Sequence, residues 1–286
     1  MTNVTIENVS DTAFWVAHYR GVEGKQKSPL FEDPLAAVLA GERGRRIAES
    51  MPRPFITAWV ISVRTRLIDD LIRGCLARGV DTVLNLGAGL DTRAYRMDLP
   101  STLQWIEADY PAMIEYKERL LAKETPRFQL TRVKCDLAND AERRALLADA
   151  NAKSGKMLVL TEGVIPYLTN DQVGTLADDL RVLDHAAFWI VDYFSSELLK
   201  FRHRTMSKKT ENAPFLFQPA DWTEFFRQHR WSCEKMLYLG EQAERLQRKM
   251  QLPVLAGVVM AMRALFVPAE RRNFKNDAGY ALPVPD

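Results

Sequence analysis

The sequence predicts an α/β protein built on a doubly wound parallel sheet, and three observations lead to this prediction. From residue 79 onward, short apolar stretches alternate with amphipathic stretches of helical length. The first apolar stretch, Thr82–Leu86, runs directly into the glycine loop Gly87–Gly89. An acidic residue, Asp109, ends the next strand about 20 residues later, as in nucleotide-binding sheets. Strands that alternate with helices form a parallel sheet with helices on both faces.

Composition limits the function classes that need to be considered. The chain has 286 residues, of which 47% are hydrophobic and 27% charged, and its net charge of +2 shows no basic excess typical of nucleic-acid binding. Cys75, Cys135 and Cys233 are scattered, which predicts neither a disulfide framework nor a zinc site. No signal peptide or membrane-spanning run is recognisable. We therefore expect a soluble cytoplasmic protein without a metal, a membrane or a nucleic-acid partner.

Three helices are predicted in an N-terminal helical region, residues 1–78. The second begins at Asp33 and Pro34, because the carboxylate can cap a helix and proline is tolerated in the first turn. The other two cover residues 11–20 and 55–78, and the longer one ends before a glycine. This region therefore precedes the alternating part of the chain as a helical extension.

The alternating part supplies the sheet and its outer helices. The predicted strands are Thr82–Leu86, Gln104–Ala108, Phe128–Lys134, Met157–Thr161, Ala187–Tyr193, Glu234–Leu239 and Met262–Val267. The predicted helices lie near residues 111–124, 140–153, 169–184 and 220–229. No internal repeat interrupts this order, which indicates a single α/β domain.

The glycine loop predicts a nucleoside ligand. A strand that runs into Gly87-x-Gly89 at a helix start brings backbone close to a bound ligand. The dinucleotide fingerprint has a third glycine where this chain has Thr92, and Asp91 would repel a diphosphate. The loop therefore suits a nucleoside without phosphates that carries a positive charge. The alternative is a tight turn after a core strand, with no ligand.

Acidic residues at two strand ends fit such a ligand. Asp109 is placed to accept hydrogen bonds from ribose hydroxyls. Glu107 lies on the same face of that strand, and we interpret it as an edge or surface residue. Asp136 can accept from an exocyclic amine, and Leu137 can pack on a flat base. A helix N-cap without a ligand is an equally good interpretation of Asp136.

Arg64 is unusual because it shares a helix face with Ile61, Ile68 and Cys75. A charge on an apolar face is costly unless it is paired, so Arg64 needs an anion from the protein or from a ligand. The carboxylate of a small cofactor would serve. A structural ion pair, or a side chain that extends to water, remains an alternative.

Five blocks of sequence are distinctive together: "VLNLGAGLDTRAYR", "EADYP", "VRTRLIDD", "LFEDPLA" and "LTEGVIPYL". They resemble the leucine carboxyl methyltransferase-like family of S-adenosylmethionine-dependent enzymes, whose bacterial members include polyketide O-methyltransferases. The resemblance runs from about residue 11 to residue 195. It implies the class I methyltransferase (Rossmann-like) fold, a doubly wound seven-stranded sheet with its last strand antiparallel, an N-terminal helical extension and a helical lid.

The resemblance also implies how the adenosine part of S-adenosyl-L-methionine would bind. Gly87 and Gly89 would let the backbone approach the methionyl part of the ligand. Asp109 would bind the ribose hydroxyls. Asp136 and Leu137 would hold the adenine.

The charged methionyl end would meet four further residues. Arg64 would pair with the cofactor carboxylate, which agrees with its unusual position. Glu162 would face the cofactor and could bind its ammonium group. Arg20 is a further basic candidate from the N-terminal helix. Asp91 would be either a carboxylate near the sulfonium and ammonium or a cap on the next helix.

The substrate side is predicted in less detail. Tyr167, Tyr193 and His203 are the catalytic candidates, the last of them within the basic run Lys200–Lys209, which could equally be a solvated face. That run lies in a predicted substrate lid, residues 196–230. The remaining predicted parts are a cofactor-binding core at residues 79–195 and C-terminal strands at residues 231–286.

The resemblance implies an O-methyltransferase that methylates a carboxylate or hydroxyl of a small molecule, such as a polyketide or another secondary metabolite, and releases S-adenosyl-L-homocysteine. A carboxylate acceptor needs no base, whereas a phenol or alcohol benefits from one. Two alternatives are a protein C-terminal carboxyl methyltransferase and a cofactor-binding module without turnover. The sequence predicts no oligomeric state.

Overall fold

The computed structural model describes residues 6–206, 209–250 and 274–286. Its described strands are β1 (Thr82–Leu86), β2 (Gln104–Asp109), β3 (Gln129–Lys134), β4 (Met157–Thr161), β5 (Ala186–Phe194), β6 (Trp231–Tyr238) and β7 (Ala278–Pro285). They form one seven-stranded sheet in the order β3-β2-β1-β4-β5-β7-β6. The strands from β3 to β5 pair in parallel, and β7 is antiparallel to both β5 and β6. The predicted seven-stranded sheet with an antiparallel last strand is confirmed.

The last strand lies elsewhere than its predicted position. The predicted strand Met262–Val267 falls outside the described residues, and β7 carries two prolines, Pro283 and Pro285, that weaken its strand pattern. The structure tolerates them because pairing with β5 ends at Ala281. Beyond that point, only β6 is paired with the proline-containing end of β7.

Helices cover both faces of the sheet, and three of them precede β1 as an N-terminal extension. Asp33 caps the second of them as predicted, since its Oδ1 accepts from the backbone N–H of Ala36 at 3.0 Å. The described helices are α1 (Ser10–Glu23), α2 (Pro34–Ser50), α3 (Pro54–Leu76), α4 (Arg93–Arg96), α5 (Pro111–Leu120), α6 (Asp140–Lys153), α7 (Asn170–Arg181), α8 (Ser196–Met206), α9 (Trp222–Gln228) and α10 (Leu239–Arg245).

Two apolar layers hold the helices against the sheet. One contains Trp105 of β2 together with buried side chains of α1, α2 and α3. The other contains Trp189 of β5 with buried side chains of α6, α7 and α9. A core on each face is the property of a doubly wound sheet. Within the described parts of the chain, no helix is long and apolar enough to cross a membrane.

The interpretation of Glu107 as an edge or surface residue is wrong. Its side chain is fully buried, and its Oε2 lies 2.9 Å from Nζ of Lys117 and 3.0 Å from Nε of Arg132. β2 lies inside the sheet between β1 and β3, with helices on both faces, so neither face of the strand is solvated. Glu107 therefore forms a structural ion pair behind the ligand-facing edge.

Candidate active site

A cavity of about 420 Å³ lies where β1, β2 and β4 end, the edge at which ligands bind in sheets of this kind. Its walls come from α1, α3, the glycine loop, the segment after β4, and α8. The predicted site residues that line it are Arg20, Arg64, Gly87, Gly89, Asp91, Asp109, Leu137, Glu162 and Tyr167.

The glycine loop is shaped by two positions that only glycine fills easily. Gly87 has φ 65° and Gly89 has φ 48°, both in the left-handed region. A Cβ at Gly87 would lie 2.5 Å from Cγ2 of Val164. The loop turns tightly because the N–H groups of Gly87 and Ala88 both donate to the carbonyl of Ala108. The turn brings loop backbone to the cavity wall.

Asp109 connects the loop to the end of β2. Its Oδ2 accepts from the N–H of Gly89 at 2.6 Å, and its Oδ1 accepts from the N–H of Tyr110 at 2.7 Å. Burial raises the pKa of Asp109, and these two backbone donors act in the opposite direction. Each carboxylate oxygen retains a further acceptor site toward the cavity. Asp109 therefore orders the loop and still has the capacity to bind a hydroxyl.

The segment after β3 contributes an apolar wall. Leu137 lines the cavity, whereas Asp136 does not. Oδ1 of Asp136 accepts from the N–H of Ala138 at 2.9 Å, which makes a local turn. The N-cap of α6 is Asn139, which accepts from two backbone N–H groups, so the alternative interpretation of Asp136 as the helix cap is wrong.

Charged residues form a compact buried charge cluster beside the cavity, made of Arg64, Asp69, Asp91, Arg93 and Glu162. Arg93 is its centre, with a side chain only 1% exposed. Its Nε lies 2.7 Å from Asp69, and its Nη1 lies 2.7 Å from both Asp91 and Glu162. Glu162 also lies 2.9 Å from Nη2 of Arg64.

Asp91 supports the start of the next helix and also faces the cavity. Its Oδ1 accepts from the backbone N–H of Arg93 at 2.8 Å, which supports the start of α4. Its Oδ2 pairs with the Arg93 guanidinium and accepts from Nδ2 of Asn85 at 2.9 Å. Burial alone would raise the pKa of Asp91, but Arg93 and Arg20 reverse this effect and lower it. The carboxylate is therefore ionised and faces the cavity.

Two members of the cluster, Arg93 and Asp69, were not predicted as site residues. A signal for Asp69 exists in the helix pattern, because it lies four residues after Thr65 and three before Ile72, and both neighbours are fully buried. Arg93 lies four residues after Gly89, inside the block on which the family resemblance depends. A charged residue at a position without access to water requires buried partners.

Arg64 and Glu162, which line the cavity, retain unused hydrogen-bonding capacity. Nε of Arg64 is buried without a hydrogen-bond partner, and the buried Oε1 of Glu162 makes no hydrogen bond but pairs with Nη2 of Arg64 at 2.9 Å. Burial alone would raise the pKa of Glu162, but Arg93 and Arg64 lower it. The cavity thus presents one donor for an anion beside one acceptor for a cation. This pair is complementary to a zwitterionic amino-acid group.

Arg20 holds the N-terminal helix against the glycine loop. Its guanidinium donates to the carbonyl of Leu90, and its Nε lies 3.2 Å from Oδ2 of Asp33. The side chain is buried and lines the cavity. Arg20 therefore connects α1, the start of α2 and the loop at one point.

The three catalytic candidates are placed differently. Tyr167 lines the cavity and packs edge-on against Phe215, with ring centroids 5.2 Å apart. Tyr193 does not line it, because the neighbouring Phe194 occupies the cavity side of β5 while Tyr193 packs against Trp222. His203 is exposed on α8. The structure therefore does not bring Tyr193 or His203 to the cavity.

Asp192 is a further buried carboxylate close to the cluster. It accepts from the N–H of Gly163 at 2.9 Å and from the hydroxyl of Tyr280 at 2.8 Å. Burial raises its pKa to about 6, although Arg64 and both hydrogen bonds favour the ionised form. Ionisation of Asp192 therefore opposes folding.

Asp192→Asn should remove a pH-dependent loss of stability. The folded pKa exceeds the unfolded one, so the wild type loses stability as pH rises from about 4 to about 6, by roughly 3 kcal/mol in total. We expect the melting temperature of the variant, relative to wild type, to be higher at pH 7 than at pH 4.5. The exposed control Asp171→Asn should show no such trend. A difference independent of pH would contradict the assignment to Asp192.

The chain is similar in sequence to a protein family and to several bacterial proteins. A family model described as leucine carboxyl methyltransferase matches residues 13–181. A protein of Frankia alni is 34% identical over 186 residues, which are 61% of this chain and 65% of that protein. A protein of Streptomyces coelicolor is 35% identical over 177 residues, 58% of this chain and 62% of that protein. Both are named for S-adenosyl-L-methionine-dependent methyl transfer, and the chain spans less than two thirds of their length in these matches.

A solved structure extends the similarity over the whole fold. A protein from Thermobifida fusca YX, also named for methyl transfer, has a TM-score of 0.58 and covers 94% of each chain at 14% identity. At that identity the likeness shows the fold alone, and the fold is the predicted one. The family match spans more than half of the sequence and includes the glycine loop, Asp109 and Glu162. The chain belongs to the leucine carboxyl methyltransferase family.

Proposed function

We propose that the chain is an S-adenosyl-L-methionine-dependent methyltransferase that methylates an oxygen, carboxylate or hydroxyl, of a small molecule. The observation that carries the proposal is the composition of the cavity. One end offers Asp109, the unpartnered Nε of Arg64 and Oε1 of Glu162, and the other is a largely apolar space beneath α8. The first end suits a nucleoside with an amino-acid tail. The second suits an acceptor molecule.

Each part of the cofactor has a matching group in the cavity. Asp109 binds the ribose hydroxyls with its free acceptor sites, and Leu137 packs on the adenine. Asp136 accepts from the adenine amine after a change of side-chain orientation, since it does not line the cavity. Arg64 binds the methionyl carboxylate through its unpartnered Nε, and Glu162 binds the ammonium group through its Oε1. The bound cofactor supplies an electrophilic methyl group on its sulfonium.

The chain contributes position and electrostatics to the reaction. Asp91 and Glu162 place ionised carboxylates at the end of the cavity where the cofactor is positively charged. The glycine loop and Asp109 fix the nucleoside, so that the methyl group meets the acceptor in one orientation. Tyr167, which lines the cavity and packs against Phe215, is our candidate to orient an acceptor hydroxyl.

The position of α8 favours a small acceptor over a protein terminus. The predicted lid, residues 196–230, contains this helix, and its Leu198, Leu199 and Phe201 line the cavity. An acceptor has to fit beneath these side chains. A protein C-terminus, the substrate suggested by the name of the family, would need this helix to move aside.

Methyl transfer can be tested without knowledge of the acceptor. The purified protein is incubated with methyl-labelled S-adenosylmethionine and either a small-molecule extract or a protein extract of the source cells. We expect label in a small molecule, and alkaline release of labelled methanol separates a carboxyl ester from a stable ether. Label confined to protein would support the carboxyl methyltransferase of protein termini instead. No label in either extract, with the cofactor bound, would contradict turnover.

Arg64→Met tests the proposed methionyl contact. The variant leaves Glu162 paired with Arg93, so the stability of the ligand-free protein should stay close to that of wild type. Affinity for S-adenosylhomocysteine should fall by roughly 1.5–3 kcal/mol, the range for hydrogen bonds to charged groups. Arg66→Met, on the same helix with a partly exposed partner, Asp70, should change neither property.

Melting temperatures with and without S-adenosylhomocysteine distinguish the two possible roles of Arg64. A large drop in the ligand-free protein, with affinity preserved, would mean that the pair with Glu162 is structural. That outcome would remove Arg64 from the cofactor site.

A further inference from the structure

Three arginines of the described residues line the cavity, and they differ in their partners. Arg20 pairs with Asp33, and Arg64 pairs with Glu162. Arg202 forms no salt bridge with any residue that the structure describes. Its contacts are the ring of Phe215, whose centroid lies 3.9 Å from Cζ, and a long contact of 3.9 Å to Sδ of Met206. The guanidinium therefore faces the cavity without an anion.

Arg202 lies in largely apolar surroundings, although it forms no salt bridge with the described residues. It lies on the side of α8 that also presents Leu198, Leu199 and Met206 to the cavity. Phe215 and Tyr167 form an edge-on pair across from the helix. Burial lowers the pKa of Arg202, and Tyr167 acts in the opposite direction. A cation in apolar surroundings is stabilised most by an opposite charge, and the ring of Phe215 replaces it only in part.

No member of the charge cluster forms a salt bridge with Arg202. Arg202 lies on α8 and contacts Phe215, which packs against Tyr167 of the segment after β4. Of the carboxylates at the cofactor end of the cavity, Asp91 and Glu162 are paired with Arg93, and Asp109 accepts from two backbone N–H groups. Within the part of the chain that the structure describes, no carboxylate pairs with Arg202, and a molecule bound beneath α8 can supply the anion.

We propose that Arg202 binds a carboxylate of the methyl acceptor, whose apolar body packs against Phe215 and the leucines of α8. This inference rests on the proposed function, because it assigns the acceptor to that cavity. It makes the acceptor an acidic molecule with an apolar framework. Guanidinium and carboxylate form paired hydrogen bonds, and such a pair strengthens where water is excluded.

The test compares two probes that differ only in charge. Binding of 2-naphthoate and of its neutral analogue 2-naphthamide is measured by calorimetry on protein saturated with S-adenosylhomocysteine. The wild type should bind the carboxylate at least tenfold more tightly than the amide. Arg202→Met should lose this preference while S-adenosylhomocysteine affinity remains unchanged. Arg204→Met, an exposed arginine on the same helix, is the matched control and should behave as wild type.

Every outcome bears on the proposal. No preference for naphthoate in the wild type would overturn it, and so would an equal loss in the Arg204→Met control. A loss of S-adenosylhomocysteine affinity in Arg202→Met would assign Arg202 to the cofactor instead. The titration with S-adenosylhomocysteine alone reports on the proposed function separately, so that failure of the acidic acceptor and failure of the cofactor site are distinguishable.

Discussion

Arg93→Met is expected to destabilise the protein by at least about 3–5 kcal/mol, the loss seen when one partner of a buried ion pair is removed. Arg93 pairs with Asp69, Asp91 and Glu162, all of which are buried or nearly so. Without the guanidinium, Asp91 loses its ion pair in a site that water reaches poorly, whereas Asp69 keeps Arg96 and Glu162 keeps Arg64. Chemical denaturation of the variant measures the effect, and insoluble expression would be its extreme form.

A surface arginine provides the control for this prediction. Arg144 pairs with Asp179 at 3.0 Å, but its side chain is 61% exposed. Arg144→Met should change the free energy of unfolding by less than about 1 kcal/mol, as exposed ion pairs do. If Arg93→Met unfolds at the same denaturant concentration as this control, the cluster does not stabilise the fold.

Asp109→Asn is expected to weaken the binding of S-adenosylhomocysteine by about 1–3 kcal/mol, which corresponds to roughly 5- to 150-fold in affinity. The amide keeps the size of the side chain but replaces one acceptor oxygen by a donor. The new amide donor therefore faces the N–H donor of either Gly89 or Tyr110, and the side chain has fewer acceptor sites for the ribose hydroxyls. Calorimetric titration measures the change.

The control for Asp109 is an acid outside the cavity. Glu115 lies on α5 with a side chain 61% exposed and pairs with Lys134. Glu115→Gln should leave the affinity unchanged. If Asp109→Asn binds as tightly as Glu115→Gln, the ribose does not contact Asp109.

The sheet was largely predictable because its strands are local apolar patterns. Thr82–Leu86 and Met157–Thr161 coincide with the predicted bounds, and both strands are buried along their entire length. The strand at Ala278–Pro285 was not predicted, because prolines are typical of loops. They fit here because the pairing of this strand with β5 ends before them. Local sequence does not contain that neighbour.

The candidate site was predictable where a motif fixes the backbone. The glycine loop and Asp109 are fixed by strand ends, so their meeting at the cavity follows from the parallel sheet. The buried charge cluster is different, since it joins Asp69, Arg93 and Glu162 from three distant parts of the chain. No spacing in the sequence indicates which carboxylates an arginine will meet.

The predictions of Tyr193 and His203 failed because the sequence does not show which side of a helix or strand faces the cavity. His203 and Arg202 are neighbours on α8, yet one is exposed and the other lines the cavity. Tyr193 and Phe194 are likewise neighbours on β5, and the sheet alternation directs them differently. A residue type suited to catalysis therefore indicates a site only after the facing of its element is known.

Calorimetric titration of the purified protein with S-adenosylhomocysteine, and separately with NAD, tests the central claim most directly. The missing third glycine at Thr92, together with Asp91 in the loop, disfavours a diphosphate, and the unpaired atoms of Arg64 and Glu162 favour an amino-acid tail. We expect saturable binding of S-adenosylhomocysteine and none of NAD. Saturable binding of NAD, or no binding of S-adenosylhomocysteine, would contradict the account.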